Sequence, residues 1–384
     1  MNPAGTAGRT WDAVVVGAGP AGAVAARELA RRGAAVLLVD KARFPRPKVC
    51  GCCLNGAAVA ALKGIGLGHV LEESGAVPLR NVRLASGRTS AALRLPGGYA
   101  LSRDILDPAL IREAEKAGAT FLPATVAKVD EADAEFRRVR LTPARQGDEC
   151  VAARVVVLAS GLAGSTTPSR LAPGSRLGAG AAVSAATTPA FYTPGTVYMA
   201  TGRGGYVGLV RVEDGRLDIG AAFDPEFVRA SGGLGSAAGA ILGATDWPAV
   251  PGLAALPWKG TPALTRRPEA VAARRLFAVG DAAGYVEPFT GEGMAWAVAS
   301  AAALAPIAFR AAAAWDDDYV RDWRRAHALV VGRRQGVCRA AARVLRSPAL
   351  TRLAVRTLSL APFLSRPVVA ALNRPPAPLH GLPA

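Results

Sequence analysis

The sequence predicts an α/β fold with a parallel sheet, which carries an inserted β-rich segment and a helical C-terminus. An apolar strand at Trp11–Val16 leads through a glycine-rich turn into a helix at Pro20–Arg32 and a second apolar strand at Ala35–Asp40. Such a strand–helix–strand unit of about 30 residues is typical of parallel sheets. Strand-like runs broken by Gly and Pro fill residues 178 to 260, and the pattern is mostly helical from Glu292 onward.

The elements between these segments follow from the same periodicities. Residues 76–101 alternate as strands do, and Asp104–Gly118 has a helical pattern. Ala119–Val129 and Cys150–Leu158 are predicted as strands that flank a polar hairpin, and Leu276–Gly280 as another buried strand. Parts of the parallel sheet therefore lie at both ends of the chain, which indicates one domain assembled from separated segments.

We expect three units. The first domain comprises residues 1–75, 101–170 and 270–310, and the second, β-rich domain comprises residues 76–100 and 171–269. A basic helical region at 311–384 completes the chain. With 51% hydrophobic and 20% charged residues in 384, the chain can bury a sizeable core, and this composition excludes a mainly disordered protein.

The chain is strongly basic, with a formal net charge of +17. Residues 319–384 hold twelve Arg and one acid, a net +11. One interpretation is an anionic partner such as a membrane surface. The other is the codon bias of a GC-rich genome, because 40 of the 46 cationic residues are Arg and Ala, Gly and Pro are abundant. No recognition module for nucleic acid accompanies the charge, so we expect no nucleic-acid partner.

The cysteines and histidines argue against several classes of site. Cys50, Cys52 and Cys53 are crowded, no second pair of closely spaced cysteines accompanies them, and the chain has three His. We therefore expect neither a metal site nor a disulfide framework nor a hydrolytic triad. Residues 1–12 lack the apolar segment of a signal peptide, and the uncharged stretch 293–309 is short for a membrane span. These features favour a reduced, cytoplasmic protein.

A glycine signature predicts a dinucleotide site. Gly17, Gly19 and Gly22 match GxGxxG between the first strand and the first helix. The first Gly permits the tight turn, the second lets the backbone approach a pyrophosphate, and the third lets the helix pack on the sheet. The helix N-terminus at Pro20 and Ala21 supplies free N–H groups. Asp40, at the end of the second strand, is placed to accept a hydrogen bond from a ribose hydroxyl.

A second motif lies about 240 residues further on. The run LFAVGDAAGYVEPFTGEG, residues 276–293, is a buried strand ending in Gly280 and Asp281, followed by a glycine-rich turn into a helix. An acid at this strand end can hold a ribityl or ribose hydroxyl of an extended dinucleotide. Gly291 and Gly293 let backbone N–H groups reach a ring at the helix N-terminus, where they stabilise negative charge. Asp40 followed by Lys41 favours FAD or NAD over NADP.

The segments VVVGAGPAG, KVCG and GDAAGYVEPFTGEGMA together resemble the flavoprotein superfamily of geranylgeranyl reductases, flavin-dependent halogenases and aromatic hydroxylases. The resemblance extends over about residues 12–360. It implies an α/β fold with an FAD-binding, Rossmann-like (GxGxxG) domain, an inserted β-rich substrate domain and a helical C-terminus. FAD is the implied cofactor, with NAD(P)H as a candidate electron donor.

The resemblance also implies roles for individual residues. Arg103 would reach the FAD, although a helix cap or a surface salt bridge is the alternative. Asp281 would hold the ribityl–pyrophosphate region. The residues implied to contact the cofactor are Gly17, Gly19, Pro20, Ala21, Gly22, Asp40, Lys41, Arg103, Val126, Gly280, Asp281, Pro288, Gly291, Gly293 and Met294. Cys50, Tyr206 and Pro288 are candidates for shaping the catalytic pocket.

Departures from the superfamily's motifs leave two reactions open. Ser160 replaces the acid of the DGxxSxxR motif, and the YxWxFP motif of the reductases is reduced to Tyr206. Gly284 follows GDAA where hydroxylases commonly carry His, and Cys50 in KVCG resembles the reductases. The sequence narrowly favours a monooxygenase that hydroxylates a phenolic or quinone-type ring of a lipid-like metabolite through a flavin C4a-hydroperoxide. The alternative is a geranylgeranyl-reductase-like enzyme that saturates C=C bonds of a prenyl or polyketide lipid.

Two further classes, a halogenase and a non-catalytic flavin-binding accessory protein, are less favoured, because the WxWxIP motif is absent and the GEG turn is intact. Cys50 has three interpretations, namely a pocket residue beside the flavin, a reactive thiol activated by Lys48 or an inert buried thiol. Residues 339–366 predict a basic, amphipathic helical pair. It either packs as an ordinary surface helix or binds an anionic membrane as a peripheral anchor.

Overall fold

A computed structural model describes residues 9–144, 147–162, 169–287, 289 and 291–374. The strands are β1 Thr10–Val16, β2 Val36–Val39, β3 Cys53–Asn55, β4 Val77–Pro78, β5 Asn81–Ser86, β6 Thr89–Arg94, β7 Gly98–Ala100, β8 Thr120–Leu122, β9 Thr125–Ala132, β10 Arg137–Pro143, β11 Glu149–Leu158, β12 Ser169–Leu171, β13 Leu177–Val183, β14 Thr196–Gly202, β15 Gly205–Arg211, β16 Leu217–Phe223, β17 Lys259–Ala263, β18 Arg266–Pro268, β19 Ala272–Ala273 and β20 Leu276–Ala278. The helices are α1 Pro20–Ala30, α2 Gly56–Gly64, α3 His69–Glu73, α4 Arg103–Lys116, α5 Pro225–Ser231, α6 Leu234–Gly243, α7 Gly293–Ala313, α8 Asp318–His327, α9 Arg333–Leu345, α10 Pro348–Leu360 and α11 Arg366–Asn373.

The first sheet has eight strands and a parallel centre. Its order is β19-β20-β11-β1-β2-β8, with β10 and β9 continuing from β11 as an antiparallel extension. Strands β20, β11, β1, β2 and β8 pair in parallel. The last residues of β1 and all of β2 are buried, because α1 and α7 cover one face of the sheet and the β9–β10 hairpin covers the other.

The polar stretch before β11 is more structured than the sequence suggests. We predicted one strand at Ala119–Val129, but the chain forms β8 and β9, separated by Pro123 and by Ala124 with a φ of 52°. Proline cannot donate to a strand ladder, so β8 ends there. The expected polar hairpin is β9 and β10, in which Val139 and Leu141 are buried while their neighbours are not.

The second sheet holds the β-rich segment. Its order is β17-β13-β16-β15-β14-β5-β6, and only the β14–β5 pair among these neighbours is parallel. Strands β5 and β6 come from residues 76–100 and the remaining five from 171–269. The loop 48–53 lies on this sheet, because Gly220 of β16 leaves room for the backbone of Gly51. The first and second sheets thus meet at this loop.

Helix α7 is the central helix of the fold. By length and composition it could cross a membrane, since it contains an 18-residue stretch with a mean hydropathy of 1.4, but 78% of that stretch is buried inside the protein. It packs on α1, α2 and α8, so it is a core helix. Beyond it, α10 packs on β5 and β6. The side chain of Asn373, at the end of α11, accepts a hydrogen bond from the N–H of Gly56 at 2.7 Å.

His327 at the end of α8 makes stability depend on pH. Burial lowers the pKa of His327 to about 4, and its ring packs edge-on against Trp323. Because the folded state disfavours the charged imidazole, its stability is complete above the unfolded pKa near 6.5 and falls as pH drops toward 4. We expect a loss of about 3 kcal/mol over this interval. Urea unfolding of His327→Gln should lack this part of the slope, and an unchanged slope would contradict the assignment.

Candidate functional site

The glycine turn after β1 packs against the end of β11. Gly17 has a φ of 104°, and a side chain there would collide with the backbone of Ala159 and Ser160. A side chain at Gly22 would overlap the carbonyl oxygen of Gly17. Both positions therefore require glycine, and the N-terminus of α1 is held close to the sheet with Pro20 and Ala21 buried.

Asp40 supports this turn from β2. Its carboxylate accepts hydrogen bonds from the N–H groups of Ala18 and Ala42, each at 2.8 Å. The predicted contact with a ribose hydroxyl is not tested, and the structure adds a structural role that the motif did not indicate. Lys41 is exposed. Val126 is 53% exposed on β9, next to Thr125, whose N–H donates to the carbonyl of Asp40.

The second motif lies at the same helix end. Gly280 begins a short 3-10 turn, with its N–H donating to Ser300 Oγ at 3.1 Å. A side chain at Gly280 would lie 2.8 Å from the Cβ of Ala21, so the two motifs, distant in sequence, are in contact. Burial raises the pKa of the neighbouring Asp281, against the attraction of Lys48 and Arg103.

Cationic side chains converge beside this turn. Arg103, 7% exposed, forms a bidentate pair with Asp107 at 2.7 and 2.8 Å, and its Nη2 faces Gly19. It begins α4 and is buried, so the surface salt bridge considered for it is excluded. Arg46 lies 3.6 Å from the same carboxylate. Burial, followed by the charge of Arg103, lowers the pKa of Lys48. Three cationic side chains, Arg46, Lys48 and Arg103, thus lie near two acids, Asp107 and Asp281.

These features fit a bound dinucleotide. The region at the N-terminus of α1 combines a glycine turn that side chains would fill, free helix N–H groups and three cationic side chains, as a pyrophosphate requires. Ser160 Oγ, at the position of the missing acid, is buried with no hydrogen-bond partner among the described residues. Lys48 Nζ approaches the neighbouring Gly161. The fold and this site define a dinucleotide-binding protein.

The glycine turn, the N-terminus of α1 and the cationic side chains beside them form the FAD cradle. The cysteine loop, residues 48–53, lies between this cradle and the second sheet. The N–H of Cys52 donates to Cys50 Sγ at 3.4 Å. Hydrogen bonding from the Cys52 thiol, followed by the charge of Arg103, lowers the pKa of Cys50 to about 6. One of the three interpretations of Cys50 made Lys48 the activating group, whereas the largest contributions that lower its pKa come from Cys52 and Arg103.

The other groups of the loop hold their protons. Hydrogen bonding to Cys50 and burial raise the pKa of Cys52, and burial raises that of Cys53. Asp218 of β16 also interacts with the Cys52 thiol through a hydrogen bond, while burial and the charge of Cys50 raise the pKa of Asp218 to about 8. Asp218 Oδ2 is buried without a partner in the described part of the chain.

Alkylation tests the state of Cys50. Because its pKa is about 6, we expect iodoacetamide to modify Cys50 in FAD-free protein at a rate that rises through pH 6 and levels off above pH 7. Peptide mass spectrometry follows the modification at each site. Cys53→Ser should leave this profile unchanged and Cys50→Ser should remove it. A rate that is still rising steeply at pH 8 would contradict the ionised thiol.

An apolar pocket wall lies on the other side of the loop. Tyr206 of β15 is 6% exposed and meets the ring of Phe289 edge-on at 5.1 Å. Burial and the nearby charge of Glu287 raise the pKa of Tyr206, and burial raises that of Glu287. Arg176 pairs with Glu287 Oε1 at 3.1 Å. The buried residues around Tyr206 are Met199, Ala222 and Leu264, with the half-buried Val82, Leu84, Leu162, Val197 and Tyr285 beside them.

The GEG turn, residues 291–293, lies between the cysteine loop and Tyr285 of the apolar wall. Gly291 has a φ of 70° and faces Cys53, and Gly293 faces the ring of Tyr285. Glu292 is buried, accepts a hydrogen bond from Trp296 Nε1 at 3.0 Å and lies 3.7 Å from Cys338 Sγ of α9. Met294 is buried in the core of the first sheet's helices. Pro288, predicted to shape the pocket, lies outside the described residues.

Sequence reasoning missed three site residues. The sequence analysis assigned no role to Arg176, Glu287 or Asp218. A signal existed for two of them, since Glu287 lies inside the second motif and Asp218 is an acid within the apolar strand LDIGAAF. Arg176 carried no local signal, because its partner Glu287 is 111 positions away in the chain.

Comparison with known proteins identifies the cofactor. Residues 10–177 match the family model described as an FAD binding domain. Over 156 residues the chain is 39% identical to the menaquinone reductase of Mycobacterium tuberculosis, and this match covers 39% of the chain and 37% of that protein. The match thus spans well under half the length of this curated relative.

Two solved structures share the fold over nearly the whole chain. The p-nitrophenol 4-monooxygenase of Pseudomonas putida DLL-E4 superposes with a TM-score of 0.75 at 15% identity, covering 95% of this chain and 99% of that one. A geranylgeranyl bacteriochlorophyll reductase-like protein from Thermoplasma acidophilum gives 0.74 at 20% identity, covering 94% and 98%. These identities show the fold alone.

Residues 10–177 therefore form an FAD-binding domain. The chain shares its fold with a flavin-dependent brominase, a p-nitrophenol 4-monooxygenase and a geranylgeranyl bacteriochlorophyll reductase-like protein. The predictions of an α/β fold with an FAD-binding domain and of FAD as cofactor are confirmed. The roles assigned to individual cofactor contacts, and the proposed domain boundaries, stay predictions.

Proposed function

We propose that this flavoprotein is an oxidoreductase that saturates a C=C bond in a hydrophobic isoprenoid or quinone lipid. The observation that carries the proposal is the buried chain of Asp218, Cys52 and Cys50 between the FAD cradle and the apolar pocket wall. Saturating a C=C bond needs a proton as well as a hydride, whereas ring hydroxylation asks the protein mainly to orient the substrate and exclude water. A proton held at this position therefore favours reduction.

The protonation states of Asp218, Cys52 and Cys50, taken in that order, support proton delivery. Near neutral pH, Asp218 is protonated and Cys50 is ionised, as their pKa values of about 8 and about 6 require. Cys52 keeps its proton and lies between them, within hydrogen-bonding reach of both. The Asp218 O–H can then donate to the Cys52 sulfur while the Cys52 S–H donates to the Cys50 thiolate. The Cys52 proton can pass through the Cys50 sulfur to the substrate, which leaves Cys50 as a thiolate again, and the Asp218 proton then replaces it on Cys52 without opening the pocket to water.

The cradle and the pocket wall would divide the remaining tasks. Bound FAD supplies the hydride chemistry. Arg103, Lys48 and the helix N-terminus of α1 would hold its pyrophosphate, and Asp281 a hydroxyl of its ribityl chain. The apolar residues around Tyr206 would orient the substrate and exclude water, while Arg176 keeps Glu287 in place behind Tyr206.

The names of two similar proteins also favour a reductase. One is a menaquinone reductase and the other is geranylgeranyl bacteriochlorophyll reductase-like. The five cysteines all lie in the described part of the chain and none of them is in a disulfide, which suits the proposed location in the reducing cytoplasm. NAD(P)H remains the candidate source of electrons.

Ring hydroxylation is the second candidate, and it is the reaction that the sequence narrowly favoured. The dry, aromatic wall formed by Tyr206, Phe289 and Tyr285 favours it, because oxygen transfer also requires a site without water. It would take a phenolic or quinone-type ring in place of an alkene.

One experiment separates the two reactions. FAD-loaded protein, reduced under anaerobic conditions, is mixed with a detergent-solubilised menaquinone bearing an unsaturated side chain. Reoxidation of the flavin supports the reductase when the product is still heavier by two hydrogen atoms after air has reoxidised any quinol to the quinone, because the added hydrogens then lie on the side chain. A product heavier by one oxygen atom, formed only when oxygen is admitted, supports the hydroxylase. Turnover of neither kind with menaquinone or phenolic lipids contradicts both and favours an accessory flavin-binding role.

A further inference from the structure

The C-terminal helices expose apolar side chains to an unusual degree. Of the twelve large hydrophobic side chains exposed among the described residues, six lie between 350 and 368. We call these residues, with three neighbouring arginines, the basic apolar face. Its members are Leu350, Leu353, Leu360, Phe363, Leu364, Val368, Arg352, Arg356 and Arg366. So short a segment would hold about one such side chain if they were spread evenly, so the clustering needs a cause.

The arrangement on α10 is that of a helix with two apolar sides. Thr351 and Val355 are buried against the second sheet. At about 100° per residue, Leu350, Leu353 and Leu360 form a separate outward stripe within about 80° of each other. The stripe continues into Phe363 and Leu364 of the next turn, which are 61% and 49% exposed. Packing on the sheet therefore leaves this outer side uncovered.

Arginines flank the stripe. Arg352 and Arg356 project between the outward stripe and the buried side of α10, and both are exposed. No acidic residue follows Asp322 in the sequence, so no acid of this segment offsets them. A convex apolar stripe bordered by unbalanced positive charge complements an anionic lipid surface.

We propose that the basic apolar face docks the protein on an anionic lipid bilayer, with its leucines and Phe363 inserted at the acyl boundary and its arginines on the phosphates. This goes beyond the proposed reaction and applies equally to reduction and hydroxylation. The structure also connects the face to the pocket. Helix α10 packs on β5 and β6, and Val82 and Leu84 of β5 belong to the cluster around Tyr206. The docked helix thus packs directly on a strand that contributes to the proposed lipid site.

Vesicle flotation of the FAD-loaded protein tests the charge requirement. We expect binding to vesicles of equal parts phosphatidylglycerol and phosphatidylcholine, weakening as salt rises, and little binding to phosphatidylcholine alone. The double variant Arg352→Gln/Arg356→Gln should bind the anionic vesicles about 30-fold more weakly. The matched control is Arg88→Gln/Arg170→Gln, whose side chains are 86% and 87% exposed elsewhere, and it should bind like the wild type.

A second pair of variants tests insertion. Leu353→Ser/Leu360→Ser should weaken binding at least tenfold, because apolar area is lost from the interface. Leu171→Ser, at a side chain 57% exposed on β12, should have no effect. All of these side chains are exposed, so FAD content should be unchanged. Substrate turnover without vesicle binding would contradict only the docking proposal, and vesicle binding without turnover would contradict only the proposed reaction.

Three outcomes overturn the docking proposal. The first is equal binding of the wild type to neutral and anionic vesicles, or to neither. The second is equal loss of binding in the control variants. The third is a concentration-dependent dimer, seen by light scattering without lipid, that Leu353→Ser/Leu360→Ser dissociates, because the face would then be covered by a second copy of the chain.

Discussion

Replacing Gly22 by alanine is expected to abolish FAD binding and to destabilise the first sheet by about 3 kcal/mol or more. The added Cβ would overlap the carbonyl oxygen of Gly17, and the collision involves backbone on both sides. Helix α1 must therefore move away from β1, which carries the phosphate-binding N–H groups out of position. The measurements are flavin content after purification and the free energy of unfolding in urea.

Gly64→Ala is the matched control. Gly64 is the last residue of α2, has no other atoms near the position of a new side chain and does not have a positive φ. Alanine there should leave FAD content unchanged and stabilise the protein by up to about 1 kcal/mol, because glycine is the more costly residue in a helix. If Gly22→Ala retained FAD as Gly64→Ala does, the turn would not be the pyrophosphate site.

The parallel sheet and the glycine turn could be predicted because their signals are local. Trp11–Val16 and Ala35–Asp40 are apolar runs around one motif, and each needs only its neighbours to be interpreted. The strand break at Ala124 was missed, because a positive φ in an alanine follows from its tertiary position and leaves no mark in composition.

The site was predictable where a motif carried it and unpredictable where charges meet across the chain. Cys50 was recognisable from KVCG, but its activation by Arg103 depends on α4 folding beside the loop. Asp218 reaches that loop only because Gly220 lets β16 approach Gly51. Sequence periodicity indicates which residues are buried, but it does not indicate which buried acid faces which thiol.

Asp218→Asn is expected to lower turnover on a C=C substrate by about 100-fold or more while FAD content stays unchanged. Asparagine keeps the shape of the side chain but cannot deliver a proton, and general-acid contributions are of this size. The pH profile distinguishes this role from a structural one. Because the pKa of Asp218 is about 8, wild-type turnover should fall above pH 8, and the residual activity of the variant should lack that fall.

Stability gives a readout of Asp218 that does not depend on turnover. Its folded pKa of about 8 lies above the ordinary value of 3.8, so the folded state binds a proton that the unfolded chain releases. This contribution is complete below pH 4 and is lost as pH rises toward 8. Wild type should therefore lose stability relative to Asp218→Asn across that interval. Asp214→Asn, at a half-exposed turn before β16, should track wild type in both experiments. If Asp218→Asn also behaved like wild type in both experiments, the proton would have to come from another group. The series from Asp218 through Cys52 to Cys50 would then have no part in the reaction.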